Sequence, residues 1–245
     1  MKTLAAVSDI HGNLPALEAV VADIVSKNVD SIVNLGDHIS GPLWPKETIQ
    51  FLMKQNWVQI SGNHDRQLIA RDPHHHGLSD RYAFQVLDDR EKEWLRQLPS
   101  HARPDDDVLL FHGTPSSDTA YLMESIEHGK TSLASRSEIR KRLGSMRSPV
   151  MLCGHTHVQR IVEVDEDAVV VNPGSVGLPA YKDEVPEPHV IESGSPHARY
   201  ALLRYDKKWT VELISVPYDS PHAAAQARKN NRPDWATALL TGYTK

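Results

Sequence analysis

Apolar residues fall in two rhythms along the N-terminal part of this chain. Short unbroken runs at Leu4 to Val7, Ser31 to Leu35 and Trp57 to Ile60 alternate with stretches whose apolar positions recur every three or four residues. The first such stretch carries Leu14, Leu17, Val21, Ile24 and Val25 at helical spacing, with Asn13 as its expected N-cap and Pro15 in its first turn. Lys46 to Gln55 reads as a second helix. Strand, loop and helix repeated in this way predict a parallel sheet flanked by helices.

From Arg66 to about Arg103 the chain turns polar, and Trp94, Leu95 and Leu98 are the expected inward anchors of a helical cap over residues 66–105. Val108 to Phe111 reads as a strand, Ser117 to Gly144 as two helices joined near Gly129 and Lys130 within a second cap segment (115–147), and Val150 to Cys153 as a strand. The period then shortens to two. Gln159 to Val164 with Ala168 to Val171, and Arg199 to Asp206 with Trp209 to Val216, read as hairpins. Ser220 and Pro221 open one further helix and Pro233 another. The expectation is one α/β domain over 1–245, with a parallel or mixed sheet in the first half and antiparallel hairpins in the second.

Composition narrows the function. With 40% apolar and 24% charged residues among 245, the chain can bury a core without staples and lacks the signature of disorder. A formal net charge of −5 removes the positive field that long nucleic acids require, so any phosphate must be captured locally. The single cysteine, Cys153, permits neither an internal disulfide nor a thiolate metal cluster, and a reducing cytoplasmic setting is expected. The N-terminal apolar run is too short for a signal peptide, and no apolar stretch reaches the length of a membrane span.

The chemistry sits where the predicted strands end. Asp9 and His11 follow the first strand, Asp37 the second, Asn63 and His64 the third, His112 the fourth, and His155 and His157 the fifth. Loops leaving the carboxyl ends of such strands converge on one crevice, which brings distant residues together. A glycine accompanies each: Gly12, Gly36, Gly62, Gly113 and Gly154. Imidazoles and carboxylates with one amide oxygen suit borderline divalent cations better than Ca²⁺.

Taken in order, Asp9-Ile10-His11, Gly36-Asp37, Gly62-Asn63-His64-Asp65, His112-Gly113 and Gly154-His155-Thr156-His157 resemble the calcineurin-like metallophosphoesterase superfamily. Asn172-Pro173-Gly174-Ser175-Val176 extends the likeness toward its small bacterial-type phosphodiesterase and phosphatase branch. The resemblance implies a four-layer α/β/β/α sandwich and two divalent cations, with Mn, Fe, Zn and Ni as candidates. It places Asp9, His11, Asp37 and His157 on the first cation and Asp37, Asn63, His112 and His155 on the second, with Asp37 bridging. A hydroxide shared by the two would attack in line, and His64 would protonate the leaving group. The substrate would be a small phosphomonoester or phosphodiester, a nucleotide among the candidates. The competing reading is a scaffold that keeps this fold without catalysis, and the full ligand set with His64 weighs against it.

The chain also departs from the superfamily pattern. Protein Ser/Thr phosphatases continue Gly-Asp into an Asp and an Arg, whereas here His38-Ile39-Ser40-Gly41 follows. That leaves the partner orienting His64 unassigned and makes His38 and Arg66 candidates for substrate contact. Tyr82, Phe84, Tyr121 and Tyr181 fall in segments able to overhang the crevice. His74-His75-His76 reads as a solvated loop, Gly129-Lys130-Thr131 as a helix junction without the glycine of a P-loop at Glu124, and Arg136, Arg140, Lys141 and Arg142 as a solvated helix face. Cys153 is expected to be a small buried hydrophobe.

Overall fold

The structure is a computed structural model and describes residues 2–245. It opens with β1 (Lys2–Val7), α1 (Leu14–Ser26), β2 (Ser31–Asn34), α2 (Pro45–Leu52) and β3 (Val58–Gln59). α3 (Asn63–Ala70), a 3-10 turn at Pro73–His75, α4 (Leu78–Val86) and α5 (Asp89–Gln97) follow. Next come β4 (His101–Asp105), β5 (Val108–Phe111), β6 (Glu124–Glu127), β7 (Lys130–Leu133), α6 (Arg136–Leu143) and β8 (Val150–Leu152). The chain closes with β9 (Arg160–Asp165), β10 (Ala168–Asn172), β11 (Ala180–Asp183), β12 (His189–Glu192), β13 (Ala198–Tyr205), β14 (Trp209–Val216), α7 (Ser220–Lys229) and α8 (Pro233–Thr241).

Two five-stranded sheets carry the fold, in the orders β14-β13-β1-β2-β3 and β4-β5-β8-β10-β9. β1, β2 and β3 run parallel, as do β5, β8 and β10; β13 is antiparallel to β1, while β4 and β9 are antiparallel to their neighbours at the edges of the second sheet. Side chains alternate across each strand. Leu4, Ala6 and Val33 therefore meet Val108, Leu110, Val150 and Leu152 between the sheets. Ala5 and Val7 turn outward onto Leu17, Val20 and Ile24 of α1, and Leu109, Phe111 and Met151 turn outward onto Ile139 and Leu143 of α6. The result is the α/β/β/α layering that the resemblance implied. Burial on both faces explains why the central strands read as unbroken apolar runs rather than as alternations.

Three segments differ from their sequence reading. Residues 117–144 hold a β6–β7 hairpin and only one helix, because His128 and Gly129 adopt positive φ values of 54° and 71° and turn the chain back with Glu127 opposite Lys130. Two consecutive left-handed residues are the mark of a tight hairpin turn, and polar strands of this kind lack the apolar alternation that would reveal them. The cap over 66–105 is helical only as far as Gln97; β4 then forms an edge strand, where the missing N–H of Pro104 is tolerated. The basic stretch on α6 is only partly solvated, since Arg142 donates to the carbonyls of Leu122 and Glu124 at 3.1 and 2.7 Å.

The last helices dock beside the carboxyl ends of the strands. Ala223, Ala224 and Ala227 of α7 and Trp235 and Leu239 of α8 pack on Leu43, Leu178 and Ala180. Asp219 caps α7, accepting from the His222 amide at 3.0 Å. Among the described residues no helix is long and apolar enough to cross a membrane.

Candidate metal centre

The loop after β1 is laced to the loop after β2: the amides of Asp9, His11 and Gly12 donate to the carbonyls of Gly36, Asp37 and His38 at 3.0, 3.0 and 3.1 Å. From the other side Ser175 Oγ and the Gly177 amide donate to the Asp9 carbonyl at 2.7 and 3.0 Å. Asn172 ties in the loop after β8 by donating to Gly154 O and Thr156 Oγ1 at 2.7 and 3.0 Å. Such lacing holds an unusual backbone. Eight non-glycine residues among those described have positive φ, and five of them are Asp9, His11, Asp37, His155 and His157, at 55°, 50°, 55°, 69° and 60°. Each left-handed residue costs on the order of 1 kcal/mol and persists only where its surroundings over-determine it.

Two glycines stand where any side chain would enter the cluster. A Cβ on Gly62 would collide with the Asp37 carboxylate, and one on Gly154 with the Ser8 hydroxyl. Asp65 fastens the same region, because its carboxylate accepts from the amides of Asp37 and Gly62 at 2.8 and 2.9 Å and from His38 Nδ1 at 2.7 Å.

All seven residues expected from the sequence as ligands are brought together. Asp9, His11 and His157 each offer one atom within 4.8 Å of the others, and Asp37, His112 and His155 do the same. Asp37 Oδ2 reaches both groups, lying 3.4 Å from His112 Nε2 and 3.9 Å from His11 Nε2. Asn63 joins the second group, with Oδ1 3.0 Å from His112 Nε2.

The imidazoles are locked by backbone carbonyls. Nδ1 of His11, His112 and His157 donates to Ser40 O, Leu35 O and Leu178 O at 2.8, 2.7 and 2.8 Å, while His155 donates through Nε2 to Thr119 O at 3.0 Å. A carbonyl only accepts, so the proton-free nitrogen of each neutral ring is turned inward. His11 Nε2 and His157 Nε2 face each other at 3.1 Å. Two lone pairs at that distance repel unless a cation or a shared proton lies between them. Burial, then neighbouring imidazoles, hold His11 and His155 down to about 4, which keeps them neutral. For His112 burial opposes charging, but the carboxylates of Asp37 and Asp9 outweigh it and hold the ring up to about 10. Four imidazoles, two carboxylates and an amide oxygen fit a pair of divalent cations of the borderline class.

His64 stands at the start of α3, with its amide donating to Asp37 Oδ1 at 2.9 Å and its side chain 36% exposed. Its Nδ1 donates to Asp80 Oδ1 at 2.9 Å, which leaves Nε2 free. Burial works against a charged His64, yet Asp37 and then Asp80 outweigh it and push the ring up to about 9. Asp80 was not legible in the sequence, where it looks like any acidic residue in a helix's first turn.

The two side chains considered for substrate contact behave differently. His38 is fully buried, bonded to Asp65 and set edge-on to Trp94 at 5.4 Å, so it cannot touch a substrate. Arg66 is half exposed and pairs with Asp118 through two bonds of 2.5 and 2.9 Å at the rim. Of the four aromatics, Tyr121 and Tyr181 do reach the centre, edge-on to His155 and His157 at 5.2 and 4.7 Å. Tyr82 instead accepts from Asn230, and Phe84 packs on His76. That histidine is buried while His74 and His75 are exposed, so only part of the triple-histidine loop is solvated. Cys153 is buried, as expected.

Residues 1–191 match the family model described as the calcineurin-like phosphoesterase superfamily domain. The chain belongs to that superfamily. Membership implies divalent metals and phosphate-ester hydrolysis, and the two residue groups above are the candidate holders of those metals. The chain is 24% identical over 251 residues to an uncharacterized protein of Methanocaldococcus jannaschii, covering 95% of this chain and 94% of that one. A metallophosphoesterase of Sphaerobacter thermophilus shares the fold with a TM-score of 0.76 at 24% identity, over 98% of this chain and 99% of that one. A hypothetical protein of Pyrococcus horikoshii does so at 0.74 and 20%, over 99% of each chain. All three likenesses extend past the family match into the C-terminal segment.

Proposed function

We propose that this phosphoesterase is dinuclear and hydrolyses a small phosphomonoester or phosphodiester, with His64 as general acid. Asp9, His11, Asp37 and His157 would hold one cation, and Asp37, Asn63, His112 and His155 the other. The observation that carries the reading is Asp37 Oδ2, which lies 3.4 Å from His112 Nε2 in one residue group and 3.9 Å from His11 Nε2 in the other. Mn, Fe, Zn and Ni all suit this donor set. Bound there, a pair of cations would supply Lewis-acid neutralisation of phosphate charge and activation of water.

The chain's own part is positioning and proton delivery. His64 reaches the crevice with Nε2 free, and as the ester P–O bond breaks that nitrogen gives its proton to the departing oxygen. Tyr121 and Tyr181 stand beside His155 and His157. A small substrate, nucleotides included, suits such a crevice, and the net charge of −5 disfavours long nucleic acids. A cytoplasmic setting suits the lone, buried Cys153.

A panel of phosphomonoesters and phosphodiesters, assayed on chelator-stripped protein with and without added Mn²⁺, Ni²⁺, Zn²⁺ or Mg²⁺, tests the reading. Turnover restored by at least one of these ions is expected. Hydrolysis that ignores metal, or that no metal restores, overturns it.

A further inference from the structure

Resting on that reading, we propose that Asp80 is the positioning residue for His64, and that the C-terminal helices hold it in place by clamping α4. The metal loop itself offers no acid for this task, since Asp37 runs into His38-Ile39-Ser40-Gly41. The carboxylate comes instead from a helix that is separate from every metal loop.

An acid in the first turn of a helix usually faces water and its own amides. Asp80 does neither: it is 3% exposed, and Oδ1 accepts from His64 Nδ1 at 2.9 Å and from Ser40 Oγ at 2.5 Å. Burying a carboxylate is costly unless its partners are built in, and here both partners belong to the site. Ser40 joins the two halves of the arrangement, for its carbonyl accepts from His11 Nδ1 at 2.8 Å while its hydroxyl serves Asp80. A carboxylate on Nδ1–H holds the ring plane and stabilises the imidazolium, so the second proton, on Nε2, points where the leaving oxygen departs.

α4 is held from outside the family match. Arg232 donates to Ser79 Oγ at 2.9 Å, next to Asp80, and Asn230 donates to Tyr82 Oη at 3.0 Å and to Pro42 O at 2.7 Å. Trp235 packs edge-on to His11 at 6.1 Å and fills the space beside Gly41. The turn joining α7 to α8, together with Trp235 of α8, therefore contacts the helix bearing Asp80 and the loop bearing Ser40 at once. This gives the C-terminal segment a role in the chemistry, although none of its side chains offers a metal ligand.

The test uses full-length, metal-loaded protein and a series of esters that share one phosphoryl group but differ in leaving alcohol: 4-nitrophenol, phenol and a simple alkyl alcohol. Wild type, Asp80→Asn, His64→Asn, the double variant and Arg232→Ala are compared by kcat, with bound metal quantified in each. Asp80→Asn is expected to lose about 10–100-fold on the alkyl ester, the range for loss of an orienting partner. On the nitrophenyl ester, whose leaving group needs little protonation, the loss should stay below about threefold. The double variant should be no slower than His64→Asn alone. Equal losses across the series, or losses that multiply in the double variant, would overturn the assignment. Should Asp80→Asn fail to fold, Arg232→Ala carries the test, with a smaller loss confined to the alkyl ester expected and a flat profile contradicting the clamp. Failure of wild type on every ester would instead sink the phosphoesterase reading, and wild-type rates alone show which has failed.

Discussion

Asp37 and Asp80 are both buried carboxylates beside an imidazole, yet they are held by opposite means. Asp37 sits in a left-handed turn fixed by neighbours in the loops after β1 and β3, and its place follows from glycines, short spacings and the register of parallel strands. Asp80 sits in an ordinary helical turn whose position depends on Arg232 and Asn230, which bind Ser79 and Tyr82 across 153 and 148 residues of chain. The first region is held by backbone hydrogen bonds that lace its loops together. The second is placed by side-chain contacts, and is where relatives of one fold are free to diverge in specificity.

Substitutions separate the two kinds of site. The largest effect is expected from Asp37→Ala, which removes the carboxylate reaching both residue groups: metal-dependent turnover should vanish, and bound metal, measured by elemental analysis, should fall to about one equivalent or less. His64→Asn should keep its metal but lose about 10²–10⁴-fold in kcat, so that the metal and proton functions separate cleanly. Gly62→Ala drives a methyl group into Asp37 and should cost about 1–3 kcal/mol in denaturant unfolding, together with weakened metal affinity. At the bottom of the scale, Arg140→Ala opens an exposed pair between α6 and Asp165 of β9, and its unfolding free energy should stay within about 0.5 kcal/mol of wild type. A large effect there would mean that the outer helix is coupled to the core far more tightly than its exposure implies.

The same contrast explains what the sequence could and could not tell. The strands of the two five-stranded sheets apart from β4, and the ligand candidates from Asp9 to His157, were legible because apolar runs and turn residues are local signals. Asp80 was illegible because nothing near it in sequence refers to His64. His38 misled, since a histidine beside a motif carboxylate looks like a substrate contact until Asp65 and Trp94 are seen to enclose it. The hairpin at residues 124–133 was hidden in polar residues of fair helical propensity, and the His128-Gly129 pair was its one available signal.

Asp37 is proposed to be shared by two cations at the rim of the sheets. Crystals grown with Mn²⁺ and measured at the manganese edge test it most directly. Two anomalous peaks about 3.5–4 Å apart, with Asp37 between them and His11 and His112 on opposite sides, are predicted. A single peak, or peaks remote from Asp37, would contradict the account.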